Sequence, residues 1–301
     1  MKKVFLTGAN GFVGKNLTLF LQNNTTNSIV NYDKNLGHLD LTNLDVVIHL
    51  AGKAHDLKNV DNAEAYYEVN TNLTKKVFDV FIKSNAKVFI TLSSVKAATD
   101  ELYVELTEEH LPNPITHYGK SKLLAEQYIL SKDIPHGKRV YILRPCMIHG
   151  PGNKGNLNLL YKIVSKGFPW PLGAFDNKRS FCSIDNLCFV IIELIHNDQV
   201  PSGVYNIADD EALSTNEVIS LLALSQNRKP KIWFLPKGLI KAFAKLGDLL
   251  QLPLTTERLQ KLTESYVVSN QKIKTAIGKD LPVSAKDGLL KTFNFFHINA
   301  Q

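Results

Sequence analysis

The chain begins with the apolar run Val4-Phe5-Leu6. Thr7-Gly8-Ala9-Asn10-Gly11-Phe12-Val13-Gly14 follows, and then Leu17, Phe20 and Leu21 at helical spacing. A strand that passes through a glycine turn straight into a helix leaves few folds open. It sets unpaired helix N–H groups and a partial positive charge at the strand's carboxyl end, where a phosphate can sit. Gly8 suits the tight turn, Gly11 lets backbone approach a pyrophosphate, and Gly14 lets helix and strand pack closely. The spacing is G-x-x-G-x-x-G instead of the general G-x-G-x-x-G. An ordinary strand–turn–helix loop would also carry such glycines, so the remaining chain has to decide.

The strands that follow agree with a nucleotide fold. Ser28 to Asp33 reads as a second strand ending in an acid, nineteen residues after Gly14. Asp33 there suits hydrogen bonds from an adenosine ribose and favours NAD, whereas the adjacent Lys34 tolerates a 2′-phosphate, so NAD and NADP both stay open. Asp45 to Gly52 is a near-continuous apolar run, as a buried parallel strand should be. Between these strands Leu39-Asp40-Leu41 allows a short strand but no full crossover helix. Ala63 to Ser84 has a helical stripe of Val69, Leu73, Val77, Val80 and Phe81. Lys87–Leu92, His117–Lys132 and Val140–Pro145 continue as strand, helix and strand. This alternation predicts an α/β fold, a doubly wound parallel, Rossmann-like sheet with ligands at the carboxyl ends of its strands. From about Gly150 the rhythm breaks into Gly-, Pro- and Asn-rich turns and shorter elements. The expected division is 1–150 for dinucleotide binding, with some later segments returning to it, and 151–301 mainly as a smaller substrate lobe.

Composition removes several classes. The net charge of +7 is spread along the chain without a run of five or six like charges, and no basic–aromatic nucleic-acid module is evident. Cys146, Cys182 and Cys188 lack C-x-x-C spacing, which points to free thiols and no metal site. No stretch of eighteen apolar residues exists, and the sequence enters a strand without a signal-like segment, so a cytoplasmic location is expected.

Tyr118 and Lys122 lie four apart on one face at the start of a helix, and Ser94 ends the strand before it. A lysine one turn away is expected to lower the phenol's pKa, with the serine hydroxyl bonded to the same substrate oxygen. Such a group moves a proton to or from an alcohol while a nicotinamide exchanges hydride.

Together these motifs resemble the extended short-chain dehydrogenases, the NAD-dependent epimerase/dehydratase family. The likeness rests on Thr7–Gly14, His49-Leu50-Ala51-Gly52, Asn70, Ser93-Ser94, Tyr118–Lys122 with Glu126, and Arg144-Pro145. It continues through Gly150-Pro151-Gly152, Arg179-Ser180-Phe181, Asp185-Asn186-Leu187 and Tyr205-Asn206-Ile207, nearly the whole chain. The resemblance implies cofactor contacts from Gly8, Asn10, Gly11, Phe12, Val13, Gly14, Asp33, Leu50, Ala51, Gly52, Asn70, Tyr118, Lys122 and Pro145. It implies a catalytic Ser94, Tyr118 and Lys122, and substrate contacts from Ser94, Asn156 and the diphosphate-clamping Arg179. Arg258 is either a second phosphate contact or a solvated helix residue. A homodimer built on the helices near 63–84 and 117–132 is also implied.

Two departures shape the functional expectation. Val95-Lys96 stands where the family's 4,6-dehydratases place Asp-Glu, so water elimination is disfavoured. His149 replaces the tyrosine often found before Gly-Pro-Gly and reads as structural. What remains is hydride transfer at carbon 4 of a nucleotide-activated, UDP-linked hexose in surface-polysaccharide synthesis, by an epimerase or a 4-ketoreductase. A non-catalytic NAD(P)-binding redox sensor is the alternative from another class, and intact Ser94, Tyr118 and Lys122 argue against it. The helix expected over 237–252 sets Lys237, Lys241 and Lys245 on one stripe and Leu239, Ile240, Phe243, Leu246 and Leu250 on another. It is either a lobe helix burying its apolar face or a weak membrane-surface contact.

Overall fold

A computed structural model describes residues 2–24, 27–31, 41, 43–53, 63–102, 104–153, 155–250 and 254–298. Asp33, Lys34, Leu39 and Asp40 lie outside them.

Up to residue 145 the described elements are β1 (Lys3–Thr7), α1 (Phe12–Asn24), β2 (Ser28–Asn31), β3 (Val46–His49), α2 (Ala63–Tyr66), α3 (Leu73–Lys83), β4 (Val88–Leu92), α4 (His117–Leu130) and β5 (Arg139–Pro145). After them come β6 (Met147–His149), α5 (Asn156–Ser165), β7 (Phe181–Ser183), α6 (Ile184–His196), β8 (Gly203–Ile207) and α7 (Thr215–Leu224). The chain closes with α8 (Lys237–Leu250), α9 (Thr256–Thr263), α10 (Gln271–Ile277) and α11 (Ala285–Ile298).

Six strands form one sheet in the order β2-β1-β3-β4-β5-β8, every neighbouring pair parallel. Strand alternation divides its core into two layers. Val4, Leu6, Ile48, Ile90 and Leu143 face Leu17 and Leu21 of α1 and Leu187 and Ile191 of α6. Phe5, Val47, Phe89 and Ile142 face Val77, Phe78 and Phe81 of α3 and Ile129 of α4. Covered on both faces, β3 is buried throughout, which is why its sequence is apolar without a gap. The chain leaves β1 toward β2 and then crosses back to β3. This reversal opens a crevice at the carboxyl ends of β1 and β3.

The predicted helix over 63–84 is present with an unpredicted feature. Tyr67–Asn72 form a π-helical turn between α2 and α3. Beyond β5, β6 and β7 make a small parallel pair, and β8 returns to the large sheet beside β5. A second core, with Trp170, Leu172, Phe181, Leu222, Phe293 and Phe296, gathers the later elements.

Candidate active site

The glycine turn is closed against β3. Gly8 has φ +74°, and a Cβ there would lie 2.6 Å from the Ala51 nitrogen. Gly14 is as restricted, since its Cβ would meet the Gly8 carbonyl oxygen at 2.3 Å. Both positions therefore require glycine. The Leu50 N–H donates to the Thr7 carbonyl (3.2 Å), so the ends of β1 and β3 stay paired beyond the strands. Asn10 and Gly11 form the exposed lip of the turn, Phe12 and Val13 open α1 half-buried, and Leu50 and Ala51 flank it. This cradle, which a side chain would fill, fits a dinucleotide pyrophosphate at a helix N-terminus.

Beneath it runs a buried hydrogen-bonded chain that sequence reasoning missed. Thr74 Oγ1 donates to the Asn70 carbonyl (2.8 Å) and lies 3.0 Å from His49 Nε2. His49 Nδ1 is 2.7 Å from Thr7 Oγ1, which also accepts from the Ala51 N–H (3.2 Å). Thr74 has spent its proton, so His49 donates from Nε2 and accepts from Thr7 at Nδ1. Burial, and after it the Lys122 charge, pushes His49 down to about 3, which keeps the ring neutral for this pattern. The only sequence signal was a histidine inside an apolar strand.

Asn70 lies in the π-helical turn and is fully buried. Its Oδ1 accepts from the Lys53 N–H (2.8 Å), while Nδ2 donates to the Lys53 carbonyl (3.1 Å) and Ser121 Oγ (3.0 Å). Thr71 Oγ1 donates to the Ser121 carbonyl (2.7 Å). The wide turn thus ties the loop after β3 to α4, the helix that carries the predicted acid–base pair.

Thr116 caps α4, its hydroxyl accepting from the Gly119 N–H (3.1 Å). Tyr118, in the first turn, is hydrogen-bonded to the Ser94 side chain. Ser94 has extended backbone and caps a short 3-10 turn over Val95–Ala97, accepting from the Lys96 N–H (3.2 Å). Lys122, one turn on, donates from Nζ to the Leu92 carbonyl (2.8 Å). A Cβ on Gly52 would sit 3.1 Å from Lys122 Nζ and 3.2 Å from Asn70 Oδ1. Ser94, Tyr118, Lys122, Asn70 and Gly52 therefore meet at the carboxyl ends of β3 and β4.

The expected effect of Lys122 on Tyr118 needs correction. Burial dominates and holds the phenol above its ordinary value, with the Ser94 hydrogen bond pulling the other way. Burial also lowers Lys122, to about 8, against the opposing Glu126 carboxylate. An ammonium desolvated this far, and spent on a strand carbonyl, does not outweigh the phenol's own burial.

Glu126 is a further residue not assigned a role from the sequence. It shares the Tyr118–Lys122 stripe, accepts from Ser93 Oγ, and pairs with Arg144 through Nε (3.0 Å) and Nη2 (2.5 Å) in the buried interior. This forked contact fixes the rotation of α4 against β4 and β5. The signal for it was an acid eight residues after Tyr118, on one helix face.

The remaining expected site residues are more dispersed. Pro145 is buried at the end of β5, in register with Ile207. Asn156 is the first residue of α5, and its side chain lies outside the described residues. Arg179 donates from Nε to the Glu264 carbonyl (3.2 Å), and from Nη2 to the Lys261 carbonyl and the Glu264 carboxylate (3.1 Å). Its guanidinium thus caps the carboxyl end of α9. Arg258 is exposed in the first turn of that helix. Lys96 packs over the Tyr266 ring (4.3 Å) and donates to the Asp100 carbonyl (2.9 Å).

Comparison with known proteins agrees with this geometry. The chain is 32% identical to a UDP-glucose 4-epimerase of Vibrio cholerae, over 98% of its own length and 95% of the relative's. It is 27% identical to an N-acetyl-alpha-D-glucosaminyl-diphospho-ditrans,octacis-undecaprenol 4-epimerase of Escherichia coli O157:H7, over 99% and 96%. The fold matches the NAD-bound UDP-glucuronic acid 4-epimerase of Bacillus cereus at a TM-score of 0.76 and 20% identity, covering 99% of this chain and 100% of that one. Residues 4–208 match the model of the NAD dependent epimerase/dehydratase family. With its glycine turn, parallel sheet and paired relatives in agreement, the chain belongs to that family of NAD-dependent enzymes.

Proposed function

We propose that the protein is a cytoplasmic 4-epimerase of a UDP-linked hexose serving surface-polysaccharide synthesis. The observation that carries this reading is the Ser94–Tyr118 hydrogen bond at the strand ends beside Lys122. Gly8, Asn10, Gly11, Phe12, Val13 and Gly14 would hold the dinucleotide's pyrophosphate, with Leu50, Ala51, Gly52, Asn70, Lys122 and Pro145 along its course. Bound there, a nicotinamide supplies a hydride acceptor and donor.

The chain's own residues handle the proton. Tyr118 takes it from the sugar's 4-hydroxyl and returns it when the ketone is reduced from the opposite face. Ser94 bonds the same oxygen and is the contact that eases ionisation of the phenol. Arg179, and with it Asn156 and Arg258, would bind the substrate on the 151–301 side. A diphosphate contact from Arg179 competes with Glu264. The two residues after Ser94 carry no carboxylate, and Lys96 is packed on Tyr266, which leaves elimination of water without an acid. We place the homodimer contact on α2–α3 and α4.

The test is incubation with UDP-glucose and with UDP-N-acetylglucosamine. Interconversion with the 4-epimer, with no net change in cofactor redox state, is expected. Stoichiometric oxidation of NADPH on addition of a UDP-4-keto-hexose, with no epimerisation of either sugar, would favour the one-way 4-ketoreductase, and turnover of none of these sugars would overturn the reading. A lipid-diphosphate-linked sugar is the second reading, because the E. coli O157:H7 relative bears that substrate in its name.

A further inference from the structure

Helix α8 turns most of its large apolar residues away from the protein. Its buried stripe is only Ile240, Ala244 and Gly247. The tight seat at Gly247, where a Cβ would strike the Leu254 carbonyl, presses the helix flat on the chain that follows. Leu239, Phe243, Leu246, Leu249 and Leu250 face solvent, with Phe243 55% and Leu249 78% exposed. At 3.6 residues per turn they cover an arc of roughly 120°. Just upstream, Trp233 and Phe234 are 55% and 70% exposed. The bland expectation, a lobe helix burying its apolar face, is therefore not what the structure shows.

The charge along this stretch is predominantly positive. Residues 228–250 hold Arg228, Lys229, Lys231, Lys237, Lys241 and Lys245 against Asp248 alone. Asp248 is already used by Thr256, accepting from its N–H (2.9 Å) and hydroxyl (2.6 Å). Exposed large apolar side chains clustered along one stretch among basic residues mark an interaction site.

We infer that residues 233–250 dock the protein on an anionic bilayer. α8 lies in the interface with its exposed leucines and Phe243 toward the acyl chains, and its lysines reach the headgroups. Trp233 and Phe234 are the side-chain types that settle at the bilayer–water boundary. The surface lies on the membrane and does not cross it: α8 has 14 residues, and no helix among the described residues is long and apolar enough to span. A second copy is the poorer occupant. A two-fold contact would bring together two copies of a segment that each carry six basic residues against Asp248.

Flotation of the full chain with phosphatidylcholine vesicles, with and without phosphatidylglycerol, tests this. The protein should rise with the anionic vesicles and lose binding in high salt. Trp233 emission should shift to the blue, and since Trp170, the other tryptophan, is buried, the shift reports this surface. Changing both Phe243→Ser and Leu246→Ser should cut the bound fraction about tenfold, with the thermal transition unchanged. The inference is overturned by no flotation with anionic vesicles, or by undiminished flotation of the double variant. A change in solution mass on making those substitutions would also overturn it, assigning the surface to contact between copies.

Discussion

His49 interrupts an apolar strand, and its two ring nitrogens explain why it is tolerated. Both are bonded, to Thr7 and Thr74, and burial holds the ring neutral with a pKa of about 3. The unfolded imidazole, near 6.5, takes up protons that the folded one refuses. Its contribution to stability is therefore complete above about 6.5 and is lost as pH falls toward about 3, by at most about 1.4 kcal/mol per pH unit. Urea denaturation at successive pH values should show this slope, and His49→Gln should flatten it. Ser94 gives a second residue-scale expectation. Removing the contact that eases ionisation of Tyr118 leaves burial unopposed, so Ser94→Ala should move the acidic limb of the pH–kcat profile upward and lower kcat by about 10²-fold. Gly8, Tyr118 and Lys122 were legible in the sequence because their spacing alone limits where they can point. The direction of the Tyr118 shift was not, because it is set by what buries the ring, and those residues come from distant parts of the chain.

α4 positions the proposed acid–base pair as one rigid unit. Tyr118, Lys122 and Glu126 recur every fourth residue, and Arg144 on β5 holds the stripe through Glu126. Glu126→Ala leaves a guanidinium buried and unpaired, a loss of about 3–5 kcal/mol measurable by chemical denaturation. The combined change Glu126→Leu with Arg144→Met should recover most of that stability but not turnover, since Lys122 also loses the nearby carboxylate that keeps its pKa from falling further. Strands and helices up to residue 145 could be read from periodicity, with ends differing by a few residues. The π-helical turn at Tyr67–Asn72 could not. The apolar stripe through it fits a continuous helix, and the extra width is fixed by Asn70 on Lys53 and Thr71 on Ser121.

Across the whole molecule, the sheet reversal brings two distant sequence motifs together. The glycine turn ends β1, and Ser94 with the α4 pair lies at the end of β4, across the crevice beside β3. Apart from the helix over 237–252, the later half was legible mainly as a change of rhythm, because its short elements owe their places to long-range contacts around Trp170, Phe293 and Phe296. The proposed homodimer predicts a light-scattering mass of twice 33.7 kDa. Leu124→Glu with Leu130→Glu, both on exposed positions of α4, should halve it. The proposed epimerisation depends on Tyr118 moving the 4-hydroxyl proton. Steady-state turnover of UDP-glucose by Tyr118→Phe, measured beside NAD affinity, tests that most directly. A fall in kcat of about 10³-fold or more with cofactor affinity retained is the expected result, and unchanged turnover would contradict it.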